Sequence, residues 1–578
     1  MAMLGVVALY APTLSYGLVN YDDPWLIRDN WIVQHPSWSS IRTIFFELDS
    51  PGRFTLGVEY LPVRDVSVML DFAIWGTSYG GFHLTNVVIY LAAIVLWFQA
   101  LTGFGIDRRV AGLAILIWAL HPSHAESVAW LTERKGLLGA AFAGACGLGY
   151  VRFRAAGRAR WLAFAMAMAV CAVWSKAIAA FAIASLAGLD LALPVPDARR
   201  RRLVGLGAIA VVGAAAFVPV LLIAASVKIV GTGVTAPAGR FELVAGVLGF
   251  YVELGAMTIR NAVSYPLSIH GPSSVEVVLG IAGALALLWA VATPRGVRWA
   301  PSPTVRAAGM LWLFGWLPVS HLILPLQMIY VADRYLLVPS LGLAVAIAYG
   351  VWRIPSRRAR IGLAAALVVA CAVRTMDARS TWRDSVTLWE RAVVVNPDDS
   401  SSWSMYADLV MDEGRTDLAF EIIHRALRAS RAPRLLLRKA LFLQEIGAVE
   451  QALPAMREAA MAGEPRAMMN LGLLLYDRGR YDEAFVWAKA SAQALPLHAP
   501  ARRALGKIAL AVRKYDLALS EFEAALAVEP WNPANQYNVA LALVALGRGP
   551  EAIPYLRACS YDPSLRPRIH ELLRSLHR

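Results

Sequence analysis

Apolar positions dominate the first two thirds of the chain in long unbroken runs, and beyond about residue 376 they alternate with charged ones like a soluble helical array. Runs near 2–19, 84–103, 108–121, 136–151, 161–176, 178–194, 203–226, 274–293, 307–324, 335–352 and 361–375 are long enough, or nearly so, to cross a bilayer as helices. The hydrocarbon core takes about 20 residues at helical rise. The shorter runs are expected to tilt, to extend into their flanks or to sit inside a bundle. The stretch 241–263 carries Glu242, Glu253, Arg260 and Asn261, and reads as an interfacial or re-entrant segment. The first run, Ala2 to Val19, has no basic flank and is followed by Asn20-Tyr21-Asp22-Asp23 in place of a small-residue cleavage site. It reads as a retained membrane helix, with a cleaved leader as the weaker reading.

The second region repeats itself. Gly472, Gly506 and Ala540 stand 34 residues apart, as do Ala484, Ala518 and Ala552. Asn470-Leu471-Gly472, Tyr481 and Pro496 recur in register as Ala504-Leu505-Gly506, Tyr515 and Pro530. This resembles the tetratricopeptide pattern, in which small residues let two antiparallel helices approach, large ones fill the gap and Pro ends the hairpin. Looser copies surround Ala452/Ala459 and Ala419/Ala426, and a half-repeat from Trp389-Glu390-Arg391-Ala392 to Asn396-Pro397 joins the array to the apolar region, about five hairpins in all. Such arrays present a concave surface without fixed specificity, so they imply a protein partner or acceptor and leave it unnamed.

Composition and charge sharpen this picture. The 578 residues are 58% hydrophobic and 17% charged, with a mean hydropathy of +0.52, which excludes a single soluble globule. The expected architecture is all-α: a polytopic membrane helix bundle over 1–376, then a tetratricopeptide α-solenoid over 377–578. A net charge of +14 would suit nucleic acid, but seventeen arginines fall in every second short loop: Arg108-Arg109, Arg152/Arg154/Arg158/Arg160, Arg199 to Arg202, Arg295/Arg298/Arg306 and Arg353/Arg357/Arg358/Arg360. The positive-inside bias puts those five loops in the cytoplasm. That assignment survives only if 241–263 does not cross, which gives about eleven spans and leaves the repeats on the extracytoplasmic side. Cys146, Cys171 and Cys371 lie in apolar runs and Cys559 in the repeats, a distribution with no disulfide framework and no zinc spacing.

Ionisable groups beside apolar helices are costly unless solvated or used, and here they gather in the loops opposite the arginines. Asp22-Asp23 closes the first run, His121-Pro122-Ser123-His124-Ala125-Glu126-Ser127 and Glu133-Arg134-Lys135 follow the third, Lys176 breaks an apolar stretch, and Asp333-Arg334-Tyr335 precedes the tenth. Carboxylates facing Arg and Lys suit the transfer of a sugar held through phosphate on a membrane lipid. An acidic side chain takes the proton of the attacking hydroxyl, and the cations receive the departing phosphate. Each feature also has a plainer reading. Asp22-Asp23 would cap a helix, Glu133-Arg134-Lys135 would be a hydrated cluster, Lys176 would snorkel, and Arg334 would anchor the chain at the membrane surface. His121 and His124 beside Glu126 lack a third protein ligand, so a divalent metal is not expected.

Taken together, Tyr21-Asp22-Asp23 with Ile27 and Asn30, Phe82-His83-Leu84-Thr85-Asn86, the stretch from His121 to Trp130, Ser175-Lys176, and Asp333-Arg334-Tyr335-Leu336 ahead of Pro339-Ser340 resemble the transmembrane-and-tetratricopeptide-repeat (TMTC) O-mannosyltransferases. With the repeats, the resemblance covers nearly the whole chain. It implies the GT-C fold and transfer of mannose from a dolichol-phosphate donor to protein Ser or Thr. It also implies Asp22 or Asp23 as the base that activates the acceptor, one of the adjacent pair serving as orienter, and Glu126 as a second acid near the acceptor. Arg334 first and Lys176 second are the expected phosphate ligands, with His121, His124, Arg134 and Asp333 also expected to bind substrate. Three departures stand out: Tyr60-Leu61-Pro62-Val63 with Arg64 displaced, Ala177 after Ser175-Lys176, and Glu133-Arg134-Lys135 in place of the family's Gly-Arg-Ala.

The expectation is an inverting membrane glycosyltransferase whose donor is a polyprenyl-phosphate sugar, with no further cofactor implied, no nucleotide-binding fingerprint and no nucleic-acid partner. It would sit in an inner, plasma or ER-type membrane and act on a protein or glycan hydroxyl. The alternative is a non-enzymatic scaffold whose spans anchor a repeat platform for envelope complexes, with a ligase or transporter of whole lipid-linked glycans as a third reading.

Overall fold

The computed structural model describes residues 2–48, 51–193, 199–226, 239–256, 263, 265, 272–322, 330–530, 532–560 and 562–576. Contacts divide the chain into Met1–Asn396 and Pro397–Arg578. The helix Ser385–Val395, which carries the half-repeat, belongs to the first unit. There the Ser385 hydroxyl accepts the Asn20 amide at 2.8 Å, and the Trp389 indole donates to the Asn20 carbonyl at 3.2 Å. Among the described residues all regular structure is helical, apart from one isolated antiparallel bridge between Tyr265 and Val331.

In the first unit the apolar runs become the helices Tyr79–Phe104, Arg108–Ala119, Arg134–Ala156, Ala159–Ser175, Ala179–Ala192, Arg199–Ser226, Ser274–Ala292, Pro303–Trp316, Pro339–Trp352 and Arg357–Ser380. Local chemistry sets their starts. The Asp107 carboxylate accepts the amides of Arg109 and Val110 at 2.8 and 3.3 Å, and Ser273 with Glu276 closes a reciprocal capping box. Each satisfies amides that the first helical turn leaves unpaired. Five of the described helices are long and apolar enough to cross a membrane: Tyr79–Phe104, Arg134–Ala156, Arg199–Ile223, Ser274–Ala292 and Arg357–Ser380. Shorter apolar helices are Met3–Ser15, Ala159–Ser175, Ala179–Ala192 and Pro339–Trp352. The first run is α-helical only from Ala2 to Tyr10 and continues as a 3-10 turn, Ala11–Ser15, because Pro12 brings no amide to the α ladder.

The interrupting stretch forms the helix Arg240–Gly255, with ten of its 16 residues buried. Its exposed residues, Arg240, Phe241 and Glu242, lie at its start. It packs on Ser274–Ala292 at Gly249 and Gly280, where a Cβ on either glycine would overlap a carbonyl oxygen of Glu276 or Ala245. Small residues permit this close backbone approach between apolar helices. Arg260 and Asn261, parts of the 227–273 and 325–334 loops, and Trp531 lie outside the described residues.

The second unit holds five helix pairs, from Ser400–Asp412 with Thr416–Ala429 to Pro533–Ala545 with Gly549–Ala558, followed by Arg566–Leu576. The small residues in register are fully buried at Ala484, Ala518 and Ala552. Within the pairs the chain turns through the left-handed region at Gly414 (φ 74°), Gly447 (79°), Gly479 (73°) and Gly547 (75°), but at Arg513 (59°) in the fourth. A side chain there costs about 1–2 kcal/mol. Arg513→Gly is therefore expected to raise the thermal midpoint of the repeats, less the larger unfolded-state entropy of glycine. A lowered midpoint would show that contacts of Arg513 outweigh the strain.

Candidate active site

Asp22 and Asp23 follow the broken first helix and precede a single wide π-helical turn, Pro24–Arg28. Their environments differ. Asp23 is buried, with Oδ2 accepting the Val19 amide at 3.0 Å and Oδ1 accepting the Thr132 amide at 3.1 Å and the Thr132 hydroxyl at 2.5 Å. Its carboxylate thus ties the end of the first helix to the loop before the 134–156 helix. Burial pushes it up to about 6, against the pull of those three hydrogen bonds. Asp22 is only half-buried and forms no side-chain hydrogen bond among the described residues. Burial raises it as well; Lys135 and Arg334 oppose the rise, while Glu59 and Glu133 add to it.

The His-Pro loop builds the wall behind this pair. His121 accepts the Ser123 amide to start the turn Pro122–His124, with Nδ1 2.7 Å from Ser123 Oγ and Nε2 3.3 Å from the Gly255 carbonyl. His124 meets Tyr90 Oη at 2.8 Å and Ser340 Oγ at 2.9 Å. Both imidazoles are buried with both nitrogens engaged. They lock the 79–104 and 339–352 helices around the short helix Ala125–Ala129, from which Glu126 projects.

Glu126 Oε2 accepts the Arg334 backbone amide at 2.8 Å, and Oε1 forms an ion pair with the Arg334 guanidinium. Glu133 Oε1 pairs with Lys176, and its Oε2 lies 3.8 Å from Arg334 Nε. The Arg334 guanidinium also lies over the rings of Trp130 and Tyr335, at 5.4 and 5.2 Å, a geometry that attracts a cation to each ring face. On the Asp22 side, Lys135 Nζ is 3.1 Å from Glu59 Oε2, which Arg64 Nη1 meets at 2.8 Å. Asp333 is buried next to Arg334 and pushed up to about 8. Desolvation is the main cause and Glu126 adds to it, against a hydrogen bond from Tyr265 and the pull of Arg334. Desolvation and Glu126 both favour its neutral form.

Sequence reasoning singled out Asp22, Glu126, Lys176, Arg334 and Asp333, and the fold gathers them. Arg134 goes elsewhere. It is 1% exposed, paired with Asp71, with Nε on Asn86 Oδ1 at 2.7 Å, Nη1 on the Ser67 carbonyl at 3.2 Å and Nη2 on the Phe82 carbonyl at 2.9 Å. Its role is to join the Pro62–Trp75, 79–104 and 134–156 helices, so the expectation that it binds substrate gives way. His121 and His124 likewise serve as internal fasteners. One helical step turns a side chain by about 100°, so Lys135 faces the cluster that Arg134 misses. Sequence reasoning also passed over Glu59 and Glu133 as site residues. Both stood within polar stretches that drew notice, Glu133 beside Arg134-Lys135 and Glu59 ahead of Tyr60-Leu61-Pro62-Val63-Arg64-Asp65, without being assigned a role.

Beside the cations lies a narrow cleft of about 30 Å³ lined by Lys176, Arg334 and Tyr335 together with Gly136, Gly139, Ala179 and Leu337. The described residues hold no group of three or more His, Cys, Asp or Glu placed to hold a metal ion.

Comparison with known proteins adds three findings. The tetratricopeptide repeat family model matches residues 437–499 and 503–563. The chain is 29% identical over 150 residues to the protein O-mannosyl-transferase TMTC3 of Mus musculus, a stretch covering 25% of this chain and 16% of that one. It is 29% identical over 117 residues to the protein O-mannosyl-transferase Tmtc2 of Drosophila melanogaster, covering 19% and 12%. The matches thus span about a sixth or less of those relatives' lengths. Among solved structures, YrrB, described as a TPR protein with an unusual peptide-binding site, is 17% identical, covers 33% of this chain and 98% of its own, and superposes with a TM-score of 0.27. Part of the chain thus resembles the TMTC protein O-mannosyl-transferases, the second unit matches the tetratricopeptide repeat family, and the described residues are helical with several apolar helices.

Proposed function

We propose that this chain is an integral membrane glycosyltransferase of the GT-C type, moving a sugar (mannose, by family resemblance) from a polyprenyl-phosphate carrier to a protein or glycan hydroxyl on the extracytoplasmic side, where the repeats also lie. The observation that carries the reading is the convergence of Asp22, Glu126, Glu133, Lys135, Lys176 and Arg334, from five separate stretches of chain, beside one apolar cleft. An anchor for a scaffold has no use for such a cluster, whose desolvation is expensive.

In the proposed reaction the acceptor hydroxyl passes its proton to Asp22 as its oxygen bonds to the anomeric carbon. The bond from that carbon to the phosphate oxygen breaks, and the electron pair leaves with the lipid phosphate. A single displacement inverts the anomeric centre. Arg334 and Lys176 stabilise the charge that grows on the phosphate. Asp23 orients the segment that carries Asp22, and Glu126 fixes Arg334 through both its side chain and its backbone.

The reading is tested by profiling envelope or membrane glycans from cells expressing the chain, Asp22→Asn, Asp23→Asn and the double variant at equal levels. Identical glycans in all four would favour the scaffold. A pH dependence also follows. A base works ionised, and burial holds Asp22 above its ordinary 3.8. Transfer should therefore fall as pH drops through a limb lying above 3.8, and Lys135→Gln, which removes the strongest opposing charge, should move that limb upward. Rates across about pH 4 to 8 report the position of the limb; a limb that stays put in Lys135→Gln speaks against Asp22 as the titrating base.

A further inference from the structure

Beyond the last apolar helix, Arg357–Ser380, the chain carries two buried tryptophans, Trp382 and Trp389. The Asp384 carboxylate accepts the Thr387 amide at 2.8 Å and starts the helix Ser385–Val395, a cap that fixes its first turn. Ser385 and Trp389 stand four positions apart and so share one face of that helix. Together they take both backbone groups of Asn20, the Ser385 hydroxyl accepting its amide and the Trp389 indole donating to its carbonyl. Asn20 comes just before Tyr21 and Asp22.

Tyr21 is held as well. Its ring lies 5.1 Å from that of Trp130 and 5.8 Å from that of Trp389, centre to centre, and Trp130 stacks on Trp382 at 5.3 Å with the planes 16° apart. The four rings make a circuit that begins and ends in the 382–389 segment. The Trp130 indole N–H has no hydrogen-bond partner among the described residues, so ring contacts hold its plane.

Packing alone would be satisfied by any large apolar side chains. Hydrogen bonds to both sides of one residue fix where the backbone runs and how it is turned. The Asp22 carboxylate forms no side-chain hydrogen bond among the described residues, so its place is set by the backbone that carries it. We propose, resting on the reading of Asp22 as the base, that Ser385 and Trp389 are positioning residues for sugar transfer. They fix the backbone at Asn20 and the ring of Tyr21, and through them the Asp22 carboxylate, against the acceptor hydroxyl.

The test uses the full chain in detergent, polyprenyl-phosphate mannose labelled in the sugar, and membrane extract of cells lacking the chain as acceptor. Ser385→Ala with Trp389→Phe should lower kcat by about 10²-fold, the cost of a misplacement near 1 Å, with the KM for the donor unchanged. Ser385→Thr keeps the hydroxyl and should keep the wild-type kcat. In an Asp22→Asn background the Ser385→Ala and Trp389→Phe pair should cost nothing more, because residues that act through one group do not add to its loss. A loss there equal to that with Asp22 in place would reveal a general structural role and overturn the proposal. Full transfer by the Ser385→Ala and Trp389→Phe variant beside an impaired Asp22→Asn would also overturn it, while the reading of Asp22 stands. Full transfer by Asp22→Asn itself removes that reading and the proposal with it.

Discussion

Asp22→Asn is expected to lower sugar transfer by about 10²–10⁴-fold, the range a positioned general base contributes, while the thermal midpoint stays where it was. Asp22 is half-buried and has no side-chain hydrogen bond among the described residues, so the amide removes a proton acceptor and little that holds the fold. Asp23→Asn should behave differently. Both Asp23 oxygens accept hydrogen bonds, from Val19 and Thr132, and an amide there turns a donor toward a donor. Stranding a buried polar group costs about 1–3 kcal/mol, so this variant should lose stability and then lose activity through misplacement of Asp22. Measuring transfer and thermal unfolding side by side on detergent-purified protein separates the two. Full transfer by stable Asp22→Asn protein would remove that residue from the mechanism.

The second large effect is expected at Arg334. Arg334→Met strands the Glu126 carboxylate, whose cationic partner it is, in a site that leaves Glu126 4% exposed. Breaking a buried pair from one side costs about 3–5 kcal/mol, so the single variant should fold poorly. Arg334→Met with Glu126→Gln removes the stranded charge, and the glutamine carbonyl can still accept the Arg334-position backbone amide. The double variant should recover most of the thermal stability but not transfer, because the phosphate has lost its fork-shaped donor. If transfer returns with stability, Arg334 served only to balance Glu126, and phosphate recognition must be sought at Lys176 and Lys135.

Both experiments depend on contacts that differ in how far a reader of the chain could foresee them. Asp22 and Arg334 were visible because charged residues inside apolar surroundings are rare enough to stand out. The Glu126–Arg334 pair joins residues 208 positions apart, and the Lys135–Glu59 contact spans 76, distances over which no local pattern constrains pairing. The choice between Arg134 and Lys135 was hidden for another reason. The helix they begin, Arg134–Ala156, buries 17 of its 23 residues, so it is apolar on nearly every side and its pattern does not say which face meets the cluster. The two histidines misled in a related way: their place in the loop beside Glu126 suggested substrate binding, but Tyr90 and Ser340, which occupy His124, arrive from other helices.

The sequence by itself determined the helices, the five repeat pairs and the short list of costly polar groups, because backbone hydrogen bonding, hydrophobic period and desolvation act locally and leave a local mark. Only the tertiary structure decided which of those groups share a cleft, which are internal fasteners and which of two adjacent aspartates remains without a hydrogen-bonded partner. Those outcomes depend on the rotation and packing of one helix against another, set by side-chain shape across long separations in the chain.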